Sequence, residues 1–120
     1  MKKTVLEFDL RKIAQSNPFG LSIEGREEPQ IASAMAMKAR FHIEEAFRRH
    51  FSGFGQSNHG SNDFEQVTFE SGRRRLHVLF TQGVSERFPK MGLRVTASGI
   101  PSAHPFFEDL RKFRREWERT

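Results

Sequence analysis

The chain has 120 residues, of which 13 are phenylalanine. This is the length of one ordinary domain, which buries enough apolar surface to fold without disulfides, so we expect a single domain over residues 1–120. The absence of cysteine excludes disulfides, thiolate metal sites and thiol nucleophiles. No apolar run reaches the roughly 18 residues that a membrane span needs, and no signal-peptide core follows Met1. We therefore expect a cytoplasmic protein without a membrane partner.

The positive charge is concentrated in the C-terminal part of the sequence. The chain carries 20 Lys and Arg against 15 Asp and Glu, a formal net charge of +5. Residues 1–72 contain 9 basic and 10 acidic groups, whereas residues 73–120 contain 11 and 5. Arginine outnumbers lysine 14 to 6, and guanidinium groups suit bidentate contacts to phosphate. This distribution favours a nucleic-acid ligand; a generally basic, solvent-exposed surface is the alternative.

The N-terminal part contains two strand patterns. Residues 4–10 alternate apolar and polar side chains, which predicts a strand, and this strand belongs to an N-terminal extension over residues 1–18. After a break rich in polar residues and proline, residues 19–25 predict a second short strand with Leu21 and Ile23 facing inward.

The longest helical pattern covers residues 30–51 and follows a proline. Steps of 100° place one set of small and apolar residues on a single face, namely Ala32, Ala36, Ala39, Ile43, Ala46 and Phe47. We expect this face to cover a sheet, with Arg48 and Arg49 on the opposite side. Met37 and Phe41 project away from the buried face, which makes them candidates for a protein contact, although a single exposed Phe is usually incidental.

Three further strand patterns follow a segment without periodicity. Residues 52–63 are rich in Gly, Ser and Asn and predict a mobile loop. Residues 64–70 and 74–81 alternate on either side of a Ser-Gly-Arg turn and predict a hairpin, and residues 91–98 predict another strand. The inward-facing positions would be Val67, Phe69, Leu76, Val78, Phe80, Leu93, Val95 and Ala97.

The last helix is predicted to begin near Pro105, because proline suits a first helical turn. Its apolar residues recur at helical spacing and predict one buried stripe, formed by Phe106, Leu110, Phe113 and Trp117. The element order is therefore β-(β)-α-β-β-β-α. We predict an α+β fold, with an antiparallel sheet of four to five strands and two helices packed on one face.

Basic residues form the strongest functional signal. The predicted hairpin tip carries Arg73, Arg74 and Arg75, the outward sheet face carries Arg75, His77 and Arg94, and the last helix carries Arg111, Lys112, Arg115 and Arg119. Helical residues four apart rise about 6 Å, which is comparable to phosphate spacing, so this helix can follow a nucleic-acid backbone without reading bases. The alternative is that Arg111 and Arg115 pair with Glu108 and Glu118 on a solvated face.

Enzymatic chemistry has less support in the sequence. His42 and His50 are eight residues apart, which does not match an HExxH metal pair, so we expect neither a metal nor another cofactor. His59 and His77 could form an acid–base pair for RNA cleavage, with Arg73 or Arg75 holding the phosphate. A metal-independent ribonuclease is accordingly a third interpretation. Neither a nucleophile elbow nor a phosphate-binding loop motif is present.

From residue 21 to residue 120 the sequence resembles the family of ribosome hibernation-promoting factors and ribosome-associated inhibitors. The similarity rests on the order of a strand, a long helix, three antiparallel strands and a basic helix, and on two local runs, Val95-Thr96-Ala97-Ser98-Gly99 and Phe106-Phe107-Glu108-Asp109-Leu110. The sequence departs from the family at residues 100–105, and its last helix is rich in arginine where the family has lysine. Double-stranded-RNA-binding domains look similar in topology, but their lysine cluster is absent here.

The resemblance implies a stoichiometric binder of small-subunit ribosomal RNA that needs no cofactor. By matched position, it implies RNA contacts from Arg111, Lys112, Arg115 and Arg119, with Arg48 and Arg49 as further candidates. An alternative from a different class is a small protein-binding inhibitor or interaction module of phage or mobile-element type, which would use its basic face and Phe41. Salt dependence separates the two, because phosphate binding weakens steeply as salt rises.

Overall fold

A computed structural model of the chain describes residues 3–53, 55–57, 66–83 and 90–119. Within these residues the elements are β1 (Thr4–Asp9), α1 (Leu10–Ser16), α2 (Glu28–His50), β2 (Gly55–Ser57), β3 (Gln66–Ser71), β4 (Arg74–Gly83), β5 (Lys90–Ser98) and α3 (Pro105–Trp117). The strands form one antiparallel sheet in the order β1-β5-β4-β3-β2. The predicted α+β class is confirmed, with α2 and α3 on one face of the sheet.

Asp9 ends the first strand and caps the first helix. Its backbone is extended, and its carboxylate accepts hydrogen bonds from the backbone N–H groups of Arg11 (3.0 Å) and Lys12 (3.3 Å), which satisfies donors that a helix start leaves unpaired. Leu10, predicted as the last inward residue of the strand, is instead the first residue of α1, where it is fully buried. The seven-residue helix α1 was not predicted.

Residues 19–25 do not form the predicted second strand. Gly20 has a φ of +63°. The side chain of Asn17 forms hydrogen bonds with the backbone groups of Leu21 that a neighbouring strand would otherwise bind. Asn17 Nδ2 donates to the Leu21 carbonyl, and the Leu21 N–H donates to Asn17 Oδ1, both at 2.9 Å. Leu21 is half-buried and Ile23 is exposed, so neither has the burial expected of a sheet position.

The long helix α2 buries the face that the sequence predicted. Its small and apolar side chains, Ala32, Ala36, Ala39, Ile43, Ala46 and Phe47, are all buried. Phe47 packs against Phe69 of β3, with ring centroids 6.5 Å apart, and against Phe106 of α3 at 5.8 Å. Complete burial of such a side chain contributes about 1.5–3 kcal/mol, so this contact fixes both helices on the sheet.

The predicted hairpin is present between β3 and β4, where Ser71 pairs with Arg74 across a Gly72–Arg73 turn. Part of the segment predicted as a loop over residues 52–63 is a strand, because Gly55–Ser57 pairs with residues 68–70 of β3. Residues 58–63 and 84–89 lie outside the described residues.

The last helix runs antiparallel to α2. Phe106, Leu110 and Trp117 are buried and Phe113 is half-buried, as the predicted stripe requires; Phe107 is buried too. The end of α2 meets the start of α3, while residues near the middle of α2 contact the end of α3. None of the helices in the described part of the chain is long and apolar enough to cross a membrane.

Candidate nucleic-acid interface

Three cations on and just after α3 form an exposed group that we call the α3 basic face: Lys112, Arg115 and Arg119. Within the described ranges, none of the three has a hydrogen bond or an ion pair. Arg111 differs, because it is half-buried and its Nη1 donates to Glu108 Oε1 at 3.1 Å. The alternative of a fully paired face therefore applies to Arg111 and not to the α3 basic face.

The carboxylates of α3 and its C-cap are mostly engaged elsewhere. Glu108 holds Arg111, and Asp109 accepts a 2.6 Å hydrogen bond from His50 Nε2. Glu118 accepts the backbone N–H of Asp9 at 2.6 Å, and within the described ranges it forms no ion pair with Arg115, contrary to the pairing alternative. The cations of the basic face are consequently available to an external anion.

Arg48 and Arg49, at the end of α2, are exposed but lie near carboxylates. Arg48 Nη2 is 3.1 Å from Glu44 Oε1, and Arg49 Nη2 is 3.9 Å from Asp109 Oδ2. Such surface pairs are worth little in stability, yet each supplies a local negative charge. These two arginines are therefore weaker phosphate ligands than the α3 basic face.

The hairpin tip lies at the end of the molecule where α2 ends. Arg73 and Arg74 are both exposed, and the guanidinium carbon of Arg74 lies 4.9 Å from the ring centroid of Phe51, which is a cation–π contact. Gly99, with a φ of +75°, packs so closely that a Cβ there would overlap the Arg73 carbonyl. The tip is thus held firmly against the end of β5.

Arg75, His77 and Arg94 lie on the sheet face opposite the helices, which we call the outer sheet face. Side chains alternate along a strand, and the intervening Leu76 and Val95 are buried beneath the helices. The sheet therefore separates these three residues from the α3 basic face. The sequence pattern indicated both groups as nucleic-acid contacts, but one flat phosphate-binding surface does not include both.

Cross-strand partners also neutralise the arginines of the outer sheet face. Arg75 Nε lies 3.1 Å from Glu70 Oε1 on β3, and Arg94 Nε donates to Glu7 Oε1 on β1 at 2.9 Å. His77 Nε2 is 3.2 Å from the amide oxygen of Gln66. Because these charges are already paired, this face is the weaker candidate for phosphate.

The structure also brings together aromatic side chains that the sequence did not group. We call this set the aromatic junction: Phe19, Phe41, His42, Phe113 and Trp117. Phe19 and His42 stack at 5.3 Å with an interplanar angle of 13°, and Phe113 and Trp117 stack at 4.8 Å with an angle of 7°. Phe19 also meets Trp117 edge-on at 5.2 Å. Only the Phe113 and Trp117 spacing of four residues gave a sequence signal, since Phe19 comes from a distant turn.

Met37 and Phe41 project from α2 as predicted, with 44% and 56% of their surface exposed. Phe41 meets His42 edge-on at 6.1 Å. Their exposure confirms the orientation of the helix. It does not by itself identify what contacts them.

Four of the five histidines lie among the described residues. His59 lies outside them, so the predicted pairing with His77 stays a prediction. His50 and His104 do meet, with rings 5.6 Å apart, but His104 Nδ1 accepts the Phe106 N–H at 3.0 Å and caps α3. No group of three or more potential metal ligands occurs in the described ranges.

Comparisons with protein-family models, curated proteins and solved structures found no match to this chain. The resemblance to ribosome hibernation factors stays a prediction. The candidate function accordingly depends on the geometry and charge of the surface itself.

Proposed function

We propose that this protein binds nucleic acid, with RNA as the preferred ligand, through the α3 basic face. The observation that carries the proposal is that Lys112 and Arg115 of α3, and Arg119 just after it, are exposed and lack partners within the described ranges. When such cations neutralise phosphates, the counterions condensed on the nucleic acid are released. This release drives binding without sequence readout.

The spacing of these residues supports a backbone contact. At 1.5 Å per residue, Lys112 and Arg115 lie about 4.5 Å apart along the helix axis, and Arg119 follows two residues after the last helical residue, so the three cations can meet successive phosphates. Two of its three cations are arginines, whose planar fork contacts two phosphate oxygens at once. Arg73 and Arg74 at the hairpin tip extend the basic surface toward the other end of α3.

Ribosomal RNA is the specific target that the family resemblance implies, and we include it in the proposal. In that case the protein acts as a stoichiometric cytoplasmic binder without catalysis and affects translation by occupying the ribosome. We then expect the affinity for purified small ribosomal subunits to exceed the affinity for an unrelated RNA as long as their ribosomal RNA.

The experiment is a salt titration of RNA affinity with two charge-matched double variants. Arg115→Gln with Arg119→Gln removes two unpaired cations and should lower the slope of log K against log salt by about 1.4–1.8. Arg75→Gln with Arg94→Gln removes two cations that are already paired, so the parent slope should remain. Equal slopes for all three proteins, or no RNA binding by the parent, would overturn the proposal.

A protein-binding module is the second candidate, and the exposed Met37 and Phe41 favour it. The two residues are four apart on α2, so they form one contiguous apolar surface. A complex anchored there should depend little on salt and should survive the double change at Arg115 and Arg119. If the variant changed at Arg115 and Arg119 still captures its protein partner from a nuclease-treated lysate, this candidate is favoured over RNA.

A further inference from the structure

A cleft of about 430 Å³ opens at the aromatic junction, between the turn after α1, the middle of α2 and the end of α3. Its lining residues are Pro18, Phe19, Lys38, His42, Glu116 and Trp117. The cleft adjoins the α3 basic face, because Glu116 and Trp117 lie between Arg115 and Arg119 in the sequence.

The apolar part of the cleft is aromatic. Trp117 and Phe19 form its inner surface with their rings 5.2 Å apart, and His42 stacks on Phe19 from the solvent side. His42 and its neighbour Phe41 are both exposed. A planar ligand can therefore extend a stack that the protein has already assembled, without rearrangement of the core.

The polar part of the cleft consists of one cation and one carboxylate. Lys38 and Glu116 are exposed, and neither has an ion pair or a hydrogen bond to another described residue. An ammonium group attracts a phosphate or a carbonyl oxygen, and a carboxylate accepts from the exocyclic amino group of a base such as cytosine. Aromatic surface with one donor and one acceptor matches the chemistry of a nucleobase attached to a phosphate.

Asn17 holds the turn that carries Phe19. It ends α1 in the left-handed conformation, with a φ of 44°, and bonds both backbone groups of Leu21. Phe19 lies inside this clamp and is half-buried. The aromatic surface is therefore positioned by backbone hydrogen bonds before a ligand binds.

We propose that this cleft binds an unpaired nucleobase, so that the ligand of the protein is single-stranded RNA. The inference rests on the proposed function, because the phosphates of the same strand would lie on the α3 basic face. Adjacent helices pack about 8–10 Å apart, so one short strand can reach both features. In a duplex the faces of the bases are already stacked on one another, so they cannot stack in the cleft, although the phosphates and 2′-hydroxyls remain available.

Trp117 provides a direct probe of the cleft, since it is the only tryptophan and the chain has no tyrosine. We would titrate the protein with a 12-nucleotide oligocytidylate and with a 12-base-pair RNA duplex at low salt. The single strand should quench or shift the Trp117 emission on binding, while the duplex should leave the emission nearly unchanged. A duplex that binds more tightly than the single strand and perturbs Trp117 equally would overturn the inference.

Substitutions of His42, which lines the cleft, and of the adjacent exposed Phe41 test stacking without disturbing the core. His42→Ala and Phe41→Ala should each weaken binding of the single strand roughly fivefold or more, with no change in the salt slope. Phe41→Trp should retain affinity, whereas Phe41→Leu should lose it, because leucine keeps apolar surface but has no π face. Glu116→Gln should reduce the preference for oligocytidylate over oligouridylate.

The outcomes separate the two proposals. If the parent binds RNA with a steep salt slope but both alanine variants bind as the parent does, the nucleobase site is wrong and the proposed function stands. If the parent binds no RNA, both are wrong. A third outcome is a protein complex that is insensitive to salt, that Phe41→Leu retains and that Phe41→Ala loses. If RNA binding is unaffected by both changes as well, the surface is a protein contact instead.

Discussion

The Nε2 atom of His50 lies 2.6 Å from a carboxylate oxygen of Asp109 and joins the last turn of α2 to the N-terminal half of α3. The carboxylate also lies 3.9 Å from Arg49. This contact is partly buried, with 23% of the His50 side chain and 36% of the Asp109 side chain exposed. It is the best placed of the described polar contacts to fix the angle between the two helices.

We expect a double-mutant cycle of His50→Ala and Asp109→Ala to give a coupling free energy of about 0.5–1.5 kcal/mol, because the bond is charge-assisted but partly solvated. Urea unfolding of the parent, the two single variants and the double variant measures this coupling. The matched cycle of Arg111→Ala and Glu108→Ala, on the exposed face of α3, should give a coupling near zero. Equal coupling in both cycles would mean that the His50 contact is only another surface pair.

Trp117 should contribute strongly to stability. Its side chain is 5% exposed and packs on Phe8 and Phe113, so Trp117→Ala should lower the free energy of unfolding by about 3–5 kcal/mol. Phe113→Ala should cost less, since Phe113 is only half-buried. Denaturant midpoints provide the measurement, and a Trp117→Ala midpoint close to that of the parent would contradict the packing described for α3.

Asn17 combines a backbone role with a side-chain role, and two variants separate them. Asn17→Ala should cost about 2–4 kcal/mol, because it loses two hydrogen bonds and strains the left-handed conformation. Asn17→Gly avoids the strain but does not restore the lost hydrogen bonds. Its free energy of unfolding should therefore lie between those of Asn17→Ala and the parent. If the glycine variant matched the parent in thermal unfolding, the hydrogen bonds to Leu21 would contribute nothing.

Gly99 should tolerate alanine less well than Gly25 does, although their φ angles are +75° and +76°. Both substitutions incur the left-handed penalty of about 1–2 kcal/mol. At Gly99 the new methyl group also overlaps the Arg73 carbonyl, whereas nothing lies within 4 Å at Gly25. Gly99→Ala should therefore unfold at clearly lower denaturant, and equal midpoints would show that the hairpin tip can move away.

Periodic patterns predicted most of the fold, because burial of one face is a local property of the sequence. The long helix, the hairpin, β5 and α3 all follow from spacing. The helix α1 was missed because its seven residues directly continue a strand pattern, and Asp9 separates the two only through its cap. The strand β2 was missed because it depends on pairing with β3 and not on its own composition.

The candidate site was predicted only in part for a similar reason. The position of Arg115 on the solvent side of α3 follows from its spacing alone, because it lies opposite the apolar stripe, whereas Arg119 lies beyond the helix end, which the structure places at Trp117. The pairing of Arg94 with Glu7 does not follow from spacing, since it depends on β1 lying beside β5. The cleft was missed because Phe19 reaches His42 and Trp117 only through the turn at Asn17.

The place of β1 beside β5 also affects how the chain can fold during synthesis. β1 is made first, yet its sheet neighbour among the described strands, β5, spans Lys90–Ser98. At translation rates of about 5–20 residues per second, roughly 4–18 seconds separate the two strands. Until then Leu6 and Phe8 have no sheet partner, and contacts across such sequence distances form slowly. A chain stalled before residue 90 would expose this apolar strand, which makes it a substrate for chaperones or for aggregation.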